Sequence, residues 1–544
     1  MVDKNRLMET LLKLLSVPGI SGTEGEASIA EKIYSLLGEI PYYQLNKDKL
    51  ELHYISGDPY KRSFVSAMYS SGSEPGKTVV ISGHMDVVDI EEYGHLKEYA
   101  FDPDKLAKHI EELSLDENTE KDLKSGEWLF GRGIADMRYG LALAIELLRE
   151  FTQTGGINGN ILFLAVPGEE SNSEGMLAAA EYLSELQENQ GYEFTALLMP
   201  ECYLQKKMND LKRYIHVGAC GKIMPMFYFT GKETHVCEPF NGFDPTMLAA
   251  EVNRLLSMNT DVCESSRGAI TPPPICLKQM DMKTLYSVQT PLAAASYYNL
   301  VTLGMPVVEL TEKLVDICNE AFANIIKQVD EKYLQYSSRF GTELDRLQVS
   351  PCVIMYSELA ERVGRLWGDK FEKHMDSRLA EWEKIGLDNQ TKAINIVKET
   401  YEWYPDKAPM IILSYIPPYY PDFYPEMDQK NTKELLRIVE AVSRHAEKKF
   451  GEELVLENYY MGVSDLSYTG MNDSGSMEEV CRNMPGYGSI YSLPVSSLKE
   501  LHIPGIILGA YGKDMHKYTE RLNIPFAFDV LPDLYEYAIT SILC

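Results

Sequence analysis

Short apolar runs alternate with amphipathic stretches through residues 1–216. "TVVISGH" (78–84), "NGNILFLAV" (158–166) and "EFTALLMPE" (193–201) read as buried strands, being β-branched or aliphatic and bounded by Gly, Pro or polar residues. "YGLALAIELLREF" and "GMLAAAEYLSELQ" lie between them with helical periodicity. The alternation predicts an α/β domain with a mixed sheet flanked by helices. It resumes over residues 423–544, with the amphipathic "KNTKELLRIVEAVSRHAEKKFG", the strand "IPGIILGAY" and the closing helix "LPDLYEYAITSIL". Residues 217–422 have another texture: strands at "KIMPMFYFTG" and "MIILSYI", a helix opening at "DPTMLAAEVNRLL", and a charged helical stretch around 355–402. Asp244 is a good N-cap there, with Pro245 in the first helical position. The reading is an α+β domain, 217–422, inserted into an α/β domain made of 1–216 and 423–544. Glu91–Glu127, rich in Asp, Glu and Lys, is expected to be a solvated helical excursion.

The length, 544 residues, requires more than one domain. The formal charge of −29 argues against nucleic acid or an anionic membrane surface as partner, because nothing would neutralise phosphates. The first residues are expected to form an amphipathic helix ending before Pro18 rather than a secretory leader, and no apolar run approaches a membrane span. Nine scattered cysteines without a C-x-x-C pair predict neither a disulfide framework nor a zinc knuckle, so a reduced, cytoplasmic protein is expected.

Candidate chemistry sits at strand ends. His84 and Asp86 follow "VVIS" two residues apart, either as a strand fraying into a polar loop or as a metal ligand with its orienting carboxylate. Asp136 in "WLFGRGIADMRYG" precedes a helix and could equally be an N-cap. Glu169 and Glu170 stand side by side after a buried strand, where two carboxylates repel unless a cation is near. Glu201 ends "ALLMPE", and His516 follows "GIILGAY" by a few residues. Open α/β sheets place ligand sites at such strand ends. His84, Asp136, Glu170, Glu201 and His516 would suit two borderline cations, Zn²⁺, Mn²⁺ or Co²⁺, sharing one carboxylate. Glu169 would remain as a general base. There is no H-E-x-x-H, no G-x-S-x-G and no P-loop.

"SGHMDVV", "GRGIADMRYGLA", "PGEESNSEG", "PEC", "GKETH" and "KDMH" occur in the order seen in M20-type metallopeptidases, which the chain resembles. "WLFGRG", the enlarged middle and "YGKDMHKYTERLNIP" are most similar to the RocB-type arginine-utilisation branch. The resemblance implies a catalytic domain with an inserted lid of the dimerisation type and a pair of divalent metals, Zn²⁺ foremost. His84 and Glu201 would hold one metal, Glu170 and His516 the other, and Asp136 would bridge them. Asp86 would orient His84, Glu169 would be the base, and His235 in "GKETHVCEP" would be the lid histidine that steadies the oxyanion. It also implies a cis Asp136–Met137 bond and a substrate loop at Gly462, Ser464 and Asp465. Two departures stand out: Asp244 where many members have Asn, and no visible lid arginine near "PLAAASYYNLVTL" to grip a free carboxylate.

The function implied is hydrolysis of an amide bond in a small substrate, an acylated amino acid or short peptide. The alternatives are a zinc aminopeptidase or dipeptidase that grips a free amine, and a non-catalytic metal-stabilised binding protein on the same fold. By the same resemblance the lid histidine arrives from a partner in a homodimer, or in cis from an enlarged lid.

Overall fold

The computed structural model describes residues 2–544 apart from 73, 74, 204–206, 208, 209 and 211. The chain divides into two compact units: 1–220, 422–472 and 494–544 form the first, 221–421 and 473–493 the second.

The first unit is built on an eight-stranded mixed sheet. Its order is Leu50–Tyr54, Ser63–Ser70, Asn160–Val166, Lys77–His84, Glu193–Met199, Gly505–Ile507, Arg213–Ala219 and Leu454–Tyr460. The four central strands, Asn160–Val166 through Gly505–Ile507, run parallel. Parallel strands are covered on both faces, which explains why these runs are apolar throughout rather than alternating. Val79, Ile81, Ile161 and Phe163 join a core with Leu7, Leu11 and Leu14 of the helix Lys4–Leu15, Leu141 and Leu148 of Tyr139–Thr154, and Leu534 of Leu531–Leu543. Val80, Leu162, Leu164 and Leu197 point to the other face and are just as inaccessible. Burying each such side chain is worth about 1.5–3 kcal/mol. Because the central strands are parallel, their carboxyl ends meet at one edge, and they deliver His84, the Pro167–Glu170 turn, Glu201 and the loop to His516 there.

The charged excursion is more than a wet face. Its short helices Pro103–His109 and Glu117–Ser125 are solvated, but Tyr93, Leu96, Ala100, Leu106, Ile110 and Phe130 make a small core of their own. Spaced among Asp, Glu and Lys, these apolar residues are too sparse to show a period.

The second unit carries a sheet in the order Ile275–Asp281, Ala293–Thr302, Pro225–Thr230, Met410–Tyr415 and Val353–Met355, mostly antiparallel. Helices flank it. Pro245–Leu256, capped by Asp244 accepting from the Thr246 N–H at 2.8 Å, buries Leu248, Val252 and Leu256. Tyr356–Trp367 and Asn389–Trp403 share a core with Met226, Tyr228 and Ile412. The unit also takes in 473–493, which the sequence reading leaves inside 423–544. The reason is hydrogen bonding at strand and helix ends: the Tyr415 N–H donates to the Asn483 carbonyl at 3.0 Å, Ser357 N–H to Asn483 Oδ1 at 3.2 Å, and Val307 N–H to Ser476 Oγ at 2.9 Å. Among the described residues no helix is long and apolar enough to cross a membrane.

Candidate metal centre

At the carboxyl edge of the central strands, one carboxylate lies between two imidazoles. Asp136 Oδ1 is 3.0 Å from His84 Nε2, and Oδ2 is 3.1 Å from His516 Nε2. Each imidazole also meets a glutamate: His84 Nε2 is 3.3 Å from Glu201 Oε2, and His516 Nε2 is 2.9 Å from Glu170 Oε1. The five side chains therefore fall into two sets that share Asp136. Ligand atoms of His84, Asp136 and Glu170 also lie close enough for one cation, as do those of Asp136, Glu201 and Cys202, groupings that cut across these two sets.

Each residue arrives for a local reason. His84 is the last residue of its strand and buried. Its Nδ1 lies 3.1 Å from the Asp86 carbonyl oxygen and 3.6 Å from the Asp86 carboxylate, so the backbone of Asp86 is the nearer orienting group. The Asp86 carboxylate does something the sequence did not reveal: it accepts the N–H groups of Glu169 and Glu170 at 3.1 and 3.0 Å. One buried acid thus ties the end of one strand to the turn after its neighbour. Asp136 precedes the helix Tyr139–Thr154, and its bond to Met137 is cis. It does not cap that helix with its side chain, as an isolated reading would allow. His516 is held in the left-handed region, φ 63°, as is Asp514 at 55°. A non-glycine residue persists there only when its surroundings over-determine it. Here Asp514 accepts from Arg521 at 2.5 Å and from Thr519 at 3.0 Å, closing the loop around His516.

The electrostatics are unbalanced. Asp86, Asp136, Glu169, Glu170, Glu201 and Asp465 converge around His84 and His516, with the buried Arg138 guanidinium acting on Asp86. Burial drives Glu169 well above the usual carboxylate range, with Glu170 and Asp465 adding to it and His84 opposing. Burial and Asp136 push Glu201 up to about 7, and burial pushes Asp465 to about 7, where the Ser173 side chain helps hold its charge. Burial alone would lower His516, but hydrogen bonds to Asp136 and Glu170 lift it to about 11. The same imidazoles, against burial, hold Asp136 well below its ordinary value. Acids and imidazoles thus keep protons between them that a divalent cation would displace. The donor set, two imidazole nitrogens with carboxylate oxygens, fits borderline metals.

A model of "Peptidase family M20/M25/M40" matches residues 80–488. The chain belongs to that family. M20 membership makes it a hydrolase of the peptidase type. It is 34% identical to the uncharacterized protein YqjN of Bacillus subtilis, over 99% of this chain and 97% of that one. It is 31% identical to protein RocB of the same organism, over 97% and 94%. Its fold matches that of a tripeptidase from Staphylococcus aureus with a TM-score of 0.53 and 12% identity, covering 100% and 99% of the two chains.

His235 lies in the second unit and is exposed. It forms an isolated antiparallel β-bridge with Gln289, and its Nδ1 accepts the Cys237 N–H at 3.2 Å. In the neutral ring the proton is then on Nε2, which leaves that atom a donor. Two residues bearing on the centre, Arg132 and Glu520, lie inside the quoted stretches "GRGIADMRYGLA" and "YGKDMHKYTERLNIP" but are given no role by the sequence reading. An acid four places after His516, at the start of a strand, was the available signal.

Proposed function

We propose that this M20 protein is a two-metal amidohydrolase acting on a small acylated amino acid or short peptide. The observation that carries the reading is the Asp136 carboxylate with a histidine on each oxygen and a glutamate beside each histidine. His84 and Glu201 would hold one cation, Glu170 and His516 the other, with Asp136 common to both and Zn²⁺ favoured over Mn²⁺ or Co²⁺. Such a pair supplies Lewis-acid polarisation of the scissile carbonyl and a lower pKa for the attacking water. Asp86 holds the Glu169–Glu170 turn by its two N–H groups and so fixes where Glu169 can reach. Glu169, outside both sets, takes the proton from the attacking water and gives it to the leaving amine; its raised pKa suits a group that must hold that proton in between. His235 donates from Nε2 to the oxygen that becomes negative. The second unit is the lid that carries it, in a homodimer that exchanges lid histidines.

The substrate class follows from branch resemblance and from likeness to RocB: amino-acid catabolism in the cytoplasm, arginine's included. One observation favours a second reading, a dipeptidase or aminopeptidase that grips a free amine. Asp465 is a buried acid beside Glu169 that belongs to neither ligand set. Metal analysis of the purified protein followed by a screen of N-acyl amino acids against dipeptides tests both. Two metals per chain with turnover of acyl substrates is expected; turnover confined to dipeptides transfers the assignment to the second reading, and no metal-dependent turnover of either class refutes both.

A further inference from the structure

The loop that carries Asp136 and the loop that carries His516 come from residues almost four hundred positions apart, yet their spacing must be held if both are to serve one centre. Glu520 stands where they meet. It is 1% exposed, and both its oxygens are occupied. Oε2 accepts from Arg132 Nη1 at 2.9 Å and from the Gly133 N–H at 3.0 Å. Oε1 accepts from the Ala135 N–H at 3.1 Å and from the Asp136 N–H at 3.3 Å. Its own backbone carbonyl accepts from the Gly131 N–H at 3.1 Å. The strand that follows it, Arg521–Asn523, pairs with Trp128–Phe130, the strand that leads into the Asp136 loop. Arg132 is equally buried and is also paired with Glu92, while its Nε donates to the Asp89 carbonyl at 3.2 Å.

We propose that Glu520 is a positioning residue for the metal centre: it gathers the N–H groups of Gly133, Ala135 and Asp136 around a carboxylate four residues from His516, and so sets where Asp136 stands relative to that histidine. It touches neither substrate nor metal. The inference rests on the metal-pair reading and adds to it a residue outside the ligand sets. The chemistry demands a carboxylate. Four donors converge on two acceptor oxygens, so glutamine would turn an NH₂ group toward two of them and leave them unsatisfied. Aspartate keeps the charge but withdraws it by one methylene from three backbone N–H groups that cannot follow without moving Asp136.

The test is metal binding rather than turnover. Co²⁺ or Zn²⁺ is titrated calorimetrically into metal-free wild type, Glu520→Gln, Glu520→Asp and Glu92→Gln, with the Co²⁺ visible spectrum recorded beside it. Wild type is expected to take two ions per chain. Both Glu520 variants should bind about 10–100-fold more weakly, the usual effect of losing a group that orients a ligand, with an altered Co²⁺ spectrum. Glu92→Gln removes the other acid on Arg132 without touching the 133–136 loop and should bind as wild type does. Should Glu520→Gln not fold, Glu520→Asp decides. If wild type binds fewer than two ions, the metal-pair reading fails whatever the variants do. If wild type binds two and the Glu520 variants match it, or if Glu92→Gln is weakened equally, the positioning role is refuted.

Discussion

Glu26 offers a quantitative test of how charge is arranged behind the centre. It is fully buried, and its Oε1 accepts the Gly22 N–H at 2.7 Å and lies 3.3 Å from Arg62 Nη1. Arg62 is already engaged by Asp58 at 2.6 Å and by Glu174 at 3.1 Å, so one guanidinium serves three carboxylates. Burial foremost, then the nearby Asp86 charge, push Glu26 up to about 8 from 4.5, with Arg62 opposing. The sign follows directly. A carboxyl group whose folded pKa is raised leaves the folded protein holding the extra proton between pH 4.5 and about 8, so stability falls as pH rises through that window. Each pH unit costs about 1.4 kcal/mol, and the whole span would approach 5 kcal/mol. Because Asp86 and Arg62 share the titration, about 2–4 kcal/mol is the better expectation. Glu26→Gln mimics the protonated acid in shape and removes this slope. Urea denaturation of both proteins, monitored by a signal from the first unit, should give nearly equal midpoints at pH 5 and a clear advantage for Glu26→Gln at pH 8.5; other titrating groups cancel in the difference. An equal gap at both pH values, or a variant weaker at pH 8.5, would show that Glu26 is charged in the folded protein and the reasoning wrong.

Glu169→Gln should keep two metals per chain and lose about 10²–10⁴ in kcat, the worth of a general base; metal lost in step with activity would instead make Glu169 a ligand. Mixing inactive Glu169→Ala and His235→Ala chains after dissociation should restore roughly a quarter of full activity if the histidine acts in trans, since about half the dimers are mixed and each has one intact site. No recovery despite demonstrated subunit exchange would put His235 in cis. Gly133→Ala should lower both thermal stability and metal affinity, because Gly133 has φ 70° and a Cβ there would come within 2.4 Å of Val87; a thermal melt and a metal titration unchanged from wild type would contradict it.

The central sheet was legible because buried parallel strands are short and uniformly apolar, and three of the four lead directly to the candidate residues His84, Glu169 and Glu201. The helix Val307–Phe340 went unremarked although Leu310, Leu314, Ala321, Phe322 and Ile325 fall on one helical face, since its second half is charged on every side and hides the period. Asp86 was legible as a partner of His84 but not as the acceptor of two N–H groups from another strand's turn, because a backbone donor has no sequence signature. The same holds for Glu520, whose partners are three backbone N–H groups and one arginine. The candidate ligands announce themselves by residue type and by position at a strand end. The groups that hold the ligands in place act largely through the backbone, and a carboxylate buried among N–H groups looks in the sequence like any other acid in a loop. The charged excursion shows the converse: its acids seemed to mark a solvated face, yet Glu92 and Asp122 pair with Arg132 and with Lys513 and Arg521, on the two loops that carry Asp136 and His516. In this fold the acidic balance of the chain is spent partly inward, and the residues around the centre that sequence cannot single out are those that turn a row of loop acids into a site of fixed geometry.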